Sequence, residues 1–147
     1  MIEQLLKDAR EHPRLFLWRG ALNPEEVDKW SSPNHTKIPI GLKQLWIATG
    51  GGEIFETETI LSPLASDPEF DIKTTNEFYW RSGVHRSLLV FHVGAWLSAV
   101  RNEPPNYVVL DTVKFATRAE FKDIDAWYVD GVRKEYAQRY GFAVANL

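Results

Sequence analysis

Residues 38–55 read IPIGLKQLWIATGGGEIF and predict a helix, a sharp turn and the start of a strand. Pro39 suits the first turn of a helix, where its missing N–H leaves no hydrogen bond unmade. An apolar stripe at helical spacing follows, formed by Leu42, Leu45 and Trp46. Glycine reaches positive φ without a steric penalty, so a run of glycines is typical of a helix end. We therefore predict a structural turn at Gly50, Gly51 and Gly52.

The segment 53–61, directly after the glycines, is rich in Ile, Phe and Thr. These residue types favour a strand, and we predict one strand over the whole segment. Glu56 and Glu58 lie two residues apart, so on a strand both side chains would leave the same face. Ile54 and Ile60 would share that face, which indicates a rim where an apolar centre gives way to solvent.

This order of a proline-led helix, a Gly-Gly turn, Glu53 and a strand resembles the entry segment of the SMI1/KNR4 (SUKH) superfamily. The resemblance covers residues 38–63, with further support from residues 88–111. It implies an α+β sheet with flanking helices, in which the glycine turn is a scaffold feature. Many members of the superfamily are bacterial immunity proteins that bind and neutralise toxins, and others are fungal cell-wall regulators and viral proteins. The resemblance supplies no catalytic residues.

Length and composition favour one globular domain over residues 1–147. The chain has 44% hydrophobic and 25% charged residues, which is an ordinary balance for a globular protein. It has no cysteine, which excludes disulfides and thiolate metal sites. The N-terminus has no pattern of a signal peptide and no apolar run spans a membrane, so we expect a cytoplasmic protein. The net charge of −3 argues against direct binding to nucleic acid.

The remaining elements follow from spacing and capping residues. We predict helices over 2–11, from Asn23 to about residue 30, and from Asp71 or Thr74 to Gly83. Residues 15–18 fit a strand or a buried loop. Strands are predicted at 88–93 (central in the sheet), 96–101 and 107–111, the last two in an antiparallel meander. A long final helix is predicted to start with the capping-box spacing of residues 117–120 and to end at Gly141. The fold class is therefore α+β, with a mostly antiparallel central sheet and flanking helices.

No motif in the chain predicts catalysis, a metal site or a cofactor. The glycine run precedes a strand and is followed by Glu53, whereas a phosphate-binding loop needs Lys and Ser or Thr before a helix. The four histidines lack the spacing of a helical zinc pair, and His92 is expected to be a satisfied core or edge histidine. There is no Gly-x-Ser-x-Gly elbow. We therefore expect a non-enzymatic protein with no metal and no cofactor.

The strongest functional signal in the sequence is a segment rich in acidic residues. Residues 53–72 carry six acidic residues and no Lys or Arg. This pattern fits either a solvated sheet edge or an acidic face for a basic partner. In the second interpretation the partner-binding residues are the acids Glu56, Glu58, Asp67 and Glu69 and the aromatic residues Phe55, Tyr79 and Trp80.

The leading hypothesis is an immunity protein that neutralises a cognate, basic bacterial toxin, with a nuclease as one candidate. In that case reversal of the charges at Glu56 and Glu58 should weaken partner binding without unfolding the protein. The alternative is a small-ligand-binding or regulatory module of the SMI1/KNR4 type, related to the cell wall and without a toxin partner. A third is an enzyme whose site has no sequence motif. A large apolar pocket would favour the latter two hypotheses, and a flat acidic face would favour the first.

Overall fold

The computed structural model describes residues 2–145 and has an α+β fold built on one antiparallel sheet. Seven strands lie in the sheet in the order in which they occur along the chain. They are β1 (Phe16–Trp18), β2 (Gly52–Ile54), β3 (Glu58–Ile60), β4 (Leu89–Val93), β5 (Leu97–Val100), β6 (Tyr107–Leu110) and β7 (Thr117–Phe121). The strand predicted at 88–93 is β4, which lies in the middle of the sheet and confirms its predicted central position.

Six α-helical segments flank the sheet. They are α1 (Glu3–Glu11), α2 (Pro24–Lys29), α3 (Ile40–Thr49), α4 (Ile72–Ser82), α5 (Ile124–Ala126) and α6 (Lys134–Tyr140). A π-helical stretch, Trp127–Arg133, joins α5 to α6, and we call the whole of 124–140 the C-terminal helix. A 3₁₀ turn, Pro13–Leu15, follows α1. The helices predicted over 2–11, from Asn23 to about residue 30, and from Asp71 or Thr74 to Gly83 are confirmed, with Asn23 and Asp71 as N-caps.

The glycine turn has the predicted structural role. Gly50 follows α3 in the left-handed conformation, with φ of 73°, and its N–H donates to the carbonyl of Trp46. A Cβ atom at Gly50 would overlap the backbone carbonyl of Gly20, which passes directly beside it. Gly50 is therefore required both for its φ angle and for the close approach of two backbone segments.

The prediction of one strand over 53–61 is wrong, because the segment forms the β2–β3 hairpin. Residues 55–57 make the turn, and Phe55 and Glu56 have φ angles of 52° and 71°. The Phe55 ring is fully buried and stacks on Tyr136 of the C-terminal helix, with ring centroids 4.6 Å apart. Burial of a large ring outweighs the backbone strain of two positive φ angles, and this long-range contact is invisible in local spacing.

The predicted capping box at 117–120 is also wrong. Thr117–Phe121 is strand β7, whose backbone pairs with β6, and Arg118 is the extra residue of a β-bulge there. The helix begins later, at Ile124, where the Asp123 carboxylate accepts the N–H of Ala126 at 2.8 Å. In β7 the backbone N–H and C=O groups form hydrogen bonds with β6, so they do not form the hydrogen bonds of a helix. The predicted end of the helix at Gly141 is confirmed.

The C-terminal helix packs on one face of the sheet, which we call the inner face. Trp127 of this helix contacts His92 of β4 and donates a hydrogen bond to Ser98 of β5. Helix α3 lies on the same side, since a Cβ atom at Gly41 would come within 2.7 Å of Ile124 and 3.1 Å of the Tyr107 hydroxyl. We call the opposite side of the sheet the outer face. One contiguous hydrophobic core connects the buried residues of the sheet and helices.

Candidate functional site

The outer face of the sheet is only partly covered. Strand register places one row of side chains across it, in the order Leu17, Glu53, Thr59, Val93, Leu97 and Leu110. Leu97 and Leu110 are buried, whereas Leu17 is 58% exposed and the three residues between are partly exposed. The part of the outer face formed by β1, β2, β3 and Val93 of β4 is therefore accessible, and we call it the open face.

A cavity of about 400 Å³ continues the open face toward helix α4. Thr59 and Val93 of the cross-strand row form part of its lining, so the two surfaces are continuous. Phe78 of α4 is 56% exposed and forms an edge-to-face aromatic pair with Tyr79, with ring centroids 5.2 Å apart. We call this cavity the α4 pocket, and it is lined by Thr59, Leu61, Glu69, Thr74, Thr75, Phe78, Tyr79 and Val93.

Acidic groups border the open face. Glu53 belongs to the cross-strand row, and Glu69 lines the α4 pocket. Asp67 lies in the same loop as Glu69, and its carboxylate accepts the N–H of Glu69 at 3.0 Å, which shapes the loop. The Arg19 guanidinium also reaches this loop, where it lies 4.8 Å from the ring centroid of Phe70. The border is therefore mainly but not uniformly acidic.

The structure brings some of the predicted partner-binding residues together and separates others. Glu69 and Tyr79 line the α4 pocket, and Asp67 is exposed nearby. Glu56 is exposed but lies in the β2–β3 turn, at the opposite end of β2 from the residue 62–71 loop. Phe78 was missed by sequence reasoning, although its position beside Tyr79 in an aromatic-rich helix is a signal that could have found it.

Three of the predicted partner-binding residues are buried, at odds with a surface role. The exposed fractions are 0% for Phe55, 3% for Glu58 and 9% for Trp80. The expectation that Glu56 and Glu58 leave the same strand face is wrong, because the hairpin turn lies between the strands and breaks the alternation. A partner that docks on the folded protein touches surface atoms, so these three side chains act from within the core.

Trp80 helps to complete the edge of β4. Strand β3 pairs with β4 only near its end, and helix α4 packs beside the rest. The Asn76 side chain accepts the N–H of Val90 at 2.7 Å and donates to the carbonyl of Val90 at 2.8 Å. The Trp80 indole donates to the carbonyl of Leu88 at 2.9 Å. These side chains replace a neighbouring strand, and they fix α4 and its pocket against the sheet.

Glu58 belongs to a buried hydrogen-bond network on the inner face. The Trp127 indole N–H donates to the Ser98 oxygen at 2.8 Å, and the Ser98 hydroxyl is hydrogen-bonded to Nδ1 of His92 at 2.7 Å. The Nε2–H of His92 then donates to Oε1 of Glu58 at 3.2 Å. The other carboxylate oxygen of Glu58 accepts the N–H of Ala95 at 3.0 Å. Both ring nitrogens of His92 and both carboxylate oxygens of Glu58 therefore have a hydrogen-bond partner, which fixes the two side chains in place.

Two effects act on the pKa of Glu58 in opposite directions. Burial raises it, while the hydrogen bond and charge interaction with His92 and the hydrogen bond from Ala95 lower it. The net result is a pKa below its ordinary value of 4.5, so Glu58 is a carboxylate at neutral pH. Gly94 is required beside it, because a Cβ atom there would overlap the Glu58 carboxylate.

This network contains serine, histidine and glutamate, as some catalytic triads do, but it lies inside the protein core. Ser98 and His92 are 0% and 1% exposed, so no substrate reaches the serine oxygen. That oxygen already accepts a hydrogen bond from Trp127. The network therefore holds β3, β4 and β5 to the C-terminal helix, and the prediction that His92 is a satisfied core histidine is confirmed.

A second buried polar cluster, unforeseen from the sequence, ties α1 to the C-terminal helix. Asp8 is 1% exposed and accepts hydrogen bonds from the Tyr128 hydroxyl and from Nε of Arg133, both at 2.6 Å. Burial and the hydrogen bond to Asp8 raise the pKa of the Tyr128 hydroxyl, so it remains a donor. The partners are more than a hundred residues apart in sequence, and only the fold brings them together.

Comparison with protein-family models, with curated proteins and with solved structures gave no match. Within residues 2–145, no helix is long and apolar enough to cross a membrane. The same part of the chain contains no cluster of three or more His, Cys, Asp or Glu residues arranged to hold a metal ion.

Proposed function

We propose that this chain is a non-catalytic binding protein that docks a basic partner protein on its open face. The observation that carries the proposal is the half-covered outer face, where the row from Leu17 to Val93 is left accessible beside an aromatic pocket. The resemblance of residues 38–63 to the SMI1/KNR4 superfamily supports a more specific role. In that role the partner is a bacterial toxin, which the protein neutralises by occupying its functional surface.

The charge of the open face supports a basic partner. Three acidic residues, Glu53, Asp67 and Glu69, lie in or beside it, and the Arg19 guanidinium is a basic group placed at the same loop. A patch with an excess of one sign steers an oppositely charged protein into encounter and suppresses partners of like charge. Such a patch would suit a toxin domain with a cationic substrate groove, of which a nuclease is one example.

Two aromatic side chains give the open face candidate anchors. Phe78 is largely exposed, and Tyr79 lies partly buried beside it at the α4 pocket. Aromatic residues in pockets near the centre of an interface often account for most of the binding energy. Surrounding acidic groups would then contribute mainly to the association rate and to partner choice.

The first test is capture of the partner from lysate, followed by calorimetry with charge-reversed variants. We expect Glu53→Lys with Glu69→Lys to weaken binding about 10-fold or more, which corresponds to about 1.4 kcal/mol or more. The matched control is Glu103→Lys with Glu135→Lys, which changes the net charge equally at exposed sites elsewhere. Equal affinities for the two double variants would refute the open face as the docking site.

A growth assay tests the toxin-neutralising role separately. The captured partner is expressed alone and together with this protein. We expect growth arrest in the first case, rescue in the second, and no rescue by the Glu53→Lys/Glu69→Lys variant. A partner that binds the open face but does not inhibit growth would leave the binding function in place and overturn the immunity role.

A second candidate function is supported by a different cavity. A space of about 530 Å³ lies near the start of α3 and is lined by Lys37, Ile38, Pro39, Ile40, Lys43, Asn102, Pro104 and Asn106. Its size and the Lys37 ammonium suit a small anionic ligand, whereas Lys43 is already paired with Asp28 at 3.5 Å. A thermal-shift screen of small anions tests it. Stabilisation that disappears in Lys37→Ala would favour the ligand-binding alternative over a protein partner.

A further inference from the structure

We infer that the α4 pocket receives an arginine side chain of the partner protein. This inference rests on the proposed function, because the pocket is part of the open face. It goes further in naming the chemical group that is recognised. The argument depends on the shape of the pocket, on its carboxylate and on the aromatic residues that form its wall.

The lining of the α4 pocket matches a long side chain with an apolar stem and a polar end. Leu61 and Val93 supply aliphatic walls, and Phe78 and Tyr79 supply aromatic ones. The polar side-chain groups are few, namely the Glu69 carboxylate and the hydroxyls of Thr59, Thr74, Thr75 and Tyr79. The methylene stem of an arginine would lie on the apolar walls while its guanidinium reached the polar groups.

Glu69 gives the pocket its preference for a cation. Within residues 2–145 no Lys, Arg or His forms an ion pair with the exposed Glu69 carboxylate, so it is available to a ligand. Asp67 fixes the backbone at Glu69 through the hydrogen bond at 3.0 Å, which limits the motion of the loop. Burial raises the pKa of the Tyr79 hydroxyl, so this group stays neutral and Glu69 is the charged group of the lining.

The aromatic wall favours arginine over lysine. A planar guanidinium stacks on aromatic rings and also forms paired hydrogen bonds with a carboxylate, which an ammonium group does not. The chain contains the same pairing elsewhere: Arg118 lies 3.7 Å from the ring centroid of Trp96, and Arg19 lies 4.8 Å from that of Phe70. The α4 pocket offers a comparable ring surface, through Phe78, without an arginine of its own.

A titration followed by NMR tests the inference without the partner. The probe is N-acetyl-arginine-N-methylamide, and the matched neutral probe is the citrulline analogue, which has the same shape but no charge. We expect saturable shifts of the backbone amides of residues 74–79 with the arginine probe, half-complete at a concentration on the order of 1 mM for a ligand of this size. The citrulline probe should bind at least about 10-fold more weakly, since it lacks the charge-assisted contact.

Three variants test which side chains bind the arginine probe. Glu69→Gln should lose most of the arginine-induced shifts, and Phe78→Ala should weaken them, while Glu56→Gln, an exposed carboxylate outside the pocket, should leave them unchanged. Absence of saturable shifts, or equal binding of the arginine and citrulline probes, would overturn the inference. If the partner is still captured and still depends on Glu53 and Glu69, the arginine pocket fails while the proposed function stands. Loss of dependence on these acids would refute the open face itself.

Discussion

Substitution of Glu58 distinguishes a surface carboxylate from a buried one. The sequence indicated that Glu58 could be reversed to lysine, together with Glu56, without unfolding the protein. In the structure Glu58 is 3% exposed and accepts hydrogen bonds from His92 and from the N–H of Ala95. An ammonium group at this position would meet two donors and no acceptor.

The expected loss in the free energy of unfolding follows from the loss of a buried charged contact. Removal of one partner from such a contact costs about 3–5 kcal/mol, against a typical total stability of about 5–15 kcal/mol. For a chain of this length we expect Glu58→Lys to lower Tm by about 6–20 °C. The milder Glu58→Gln keeps the shape and one acceptor, and should cost about 1.5–3 kcal/mol.

Urea and thermal unfolding, followed by circular dichroism, measure these losses. The matched control is Glu56→Lys, which makes the same chemical change at an exposed turn position and should stay within about 0.5 kcal/mol of the original protein. If Glu58→Lys is as stable as Glu56→Lys, the buried network is wrong, and with it the hairpin that places Glu58 on the inner face.

The same variant predicts a pH dependence. The pKa of Glu58 is lowered in the folded state, so its contribution to stability is complete above the ordinary value of 4.5 and declines as the pH falls toward the lower folded value. The stability difference between the original protein and Glu58→Gln should therefore be constant near neutral pH and narrow below about pH 4.5. A difference that does not change with pH would show that Glu58 is not held as a carboxylate.

Substitutions at Gly50 and at Asn76 test two further structural contacts of the scaffold. Gly50→Ala and Gly141→Ala both place a Cβ in the left-handed region, which costs about 1–2 kcal/mol, but only Gly50 also faces the carbonyl of Gly20. Gly50→Ala should therefore lose about 1–3 kcal/mol more than Gly141→Ala in urea unfolding, and equal losses would contradict that close approach. Asn76→Ala leaves the N–H and C=O of Val90 unpaired and should cost about 2–6 kcal/mol, with faster amide exchange at Val90. A loss below about 1 kcal/mol would show that Asn76 does not complete the strand edge.

Much of the fold could be predicted from local sequence. Asn23 and Asp71 cap helices at the predicted positions, and Gly141 ends the last one, because capping and helix termination depend on groups within a few residues. The meander of β4, β5 and β6 followed from turn residues between short apolar runs. The two failures, at residues 53–61 and 117–120, share a cause. In both segments long-range contacts overrode the local preference: ring burial for Phe55 and strand pairing for β7.

The candidate site was predicted less completely than the fold. Glu69 and Tyr79 both line the α4 pocket, and both were among the acidic and aromatic residues predicted from the sequence to bind a partner. Exposure could not be read, because it depends on which elements cover a strand. Phe78 is exposed while its helix neighbour Trp80 is buried, although both are aromatic residues on one helix. Their different positions around the helix axis place one on the solvent side and one against β4.

By itself the sequence determined the α+β class, the helix ends, the glycine turn and the acidic character of residues 53–72, because each depends on neighbouring residues or on composition. The tertiary structure decided which of those acids are accessible. Register placed Glu53 on the outer face, and the hairpin turn placed Glu58 beside His92 on the inner one. A strand alternates its side chains every residue, so a three-residue turn is enough to decide whether a carboxylate meets solvent or the core.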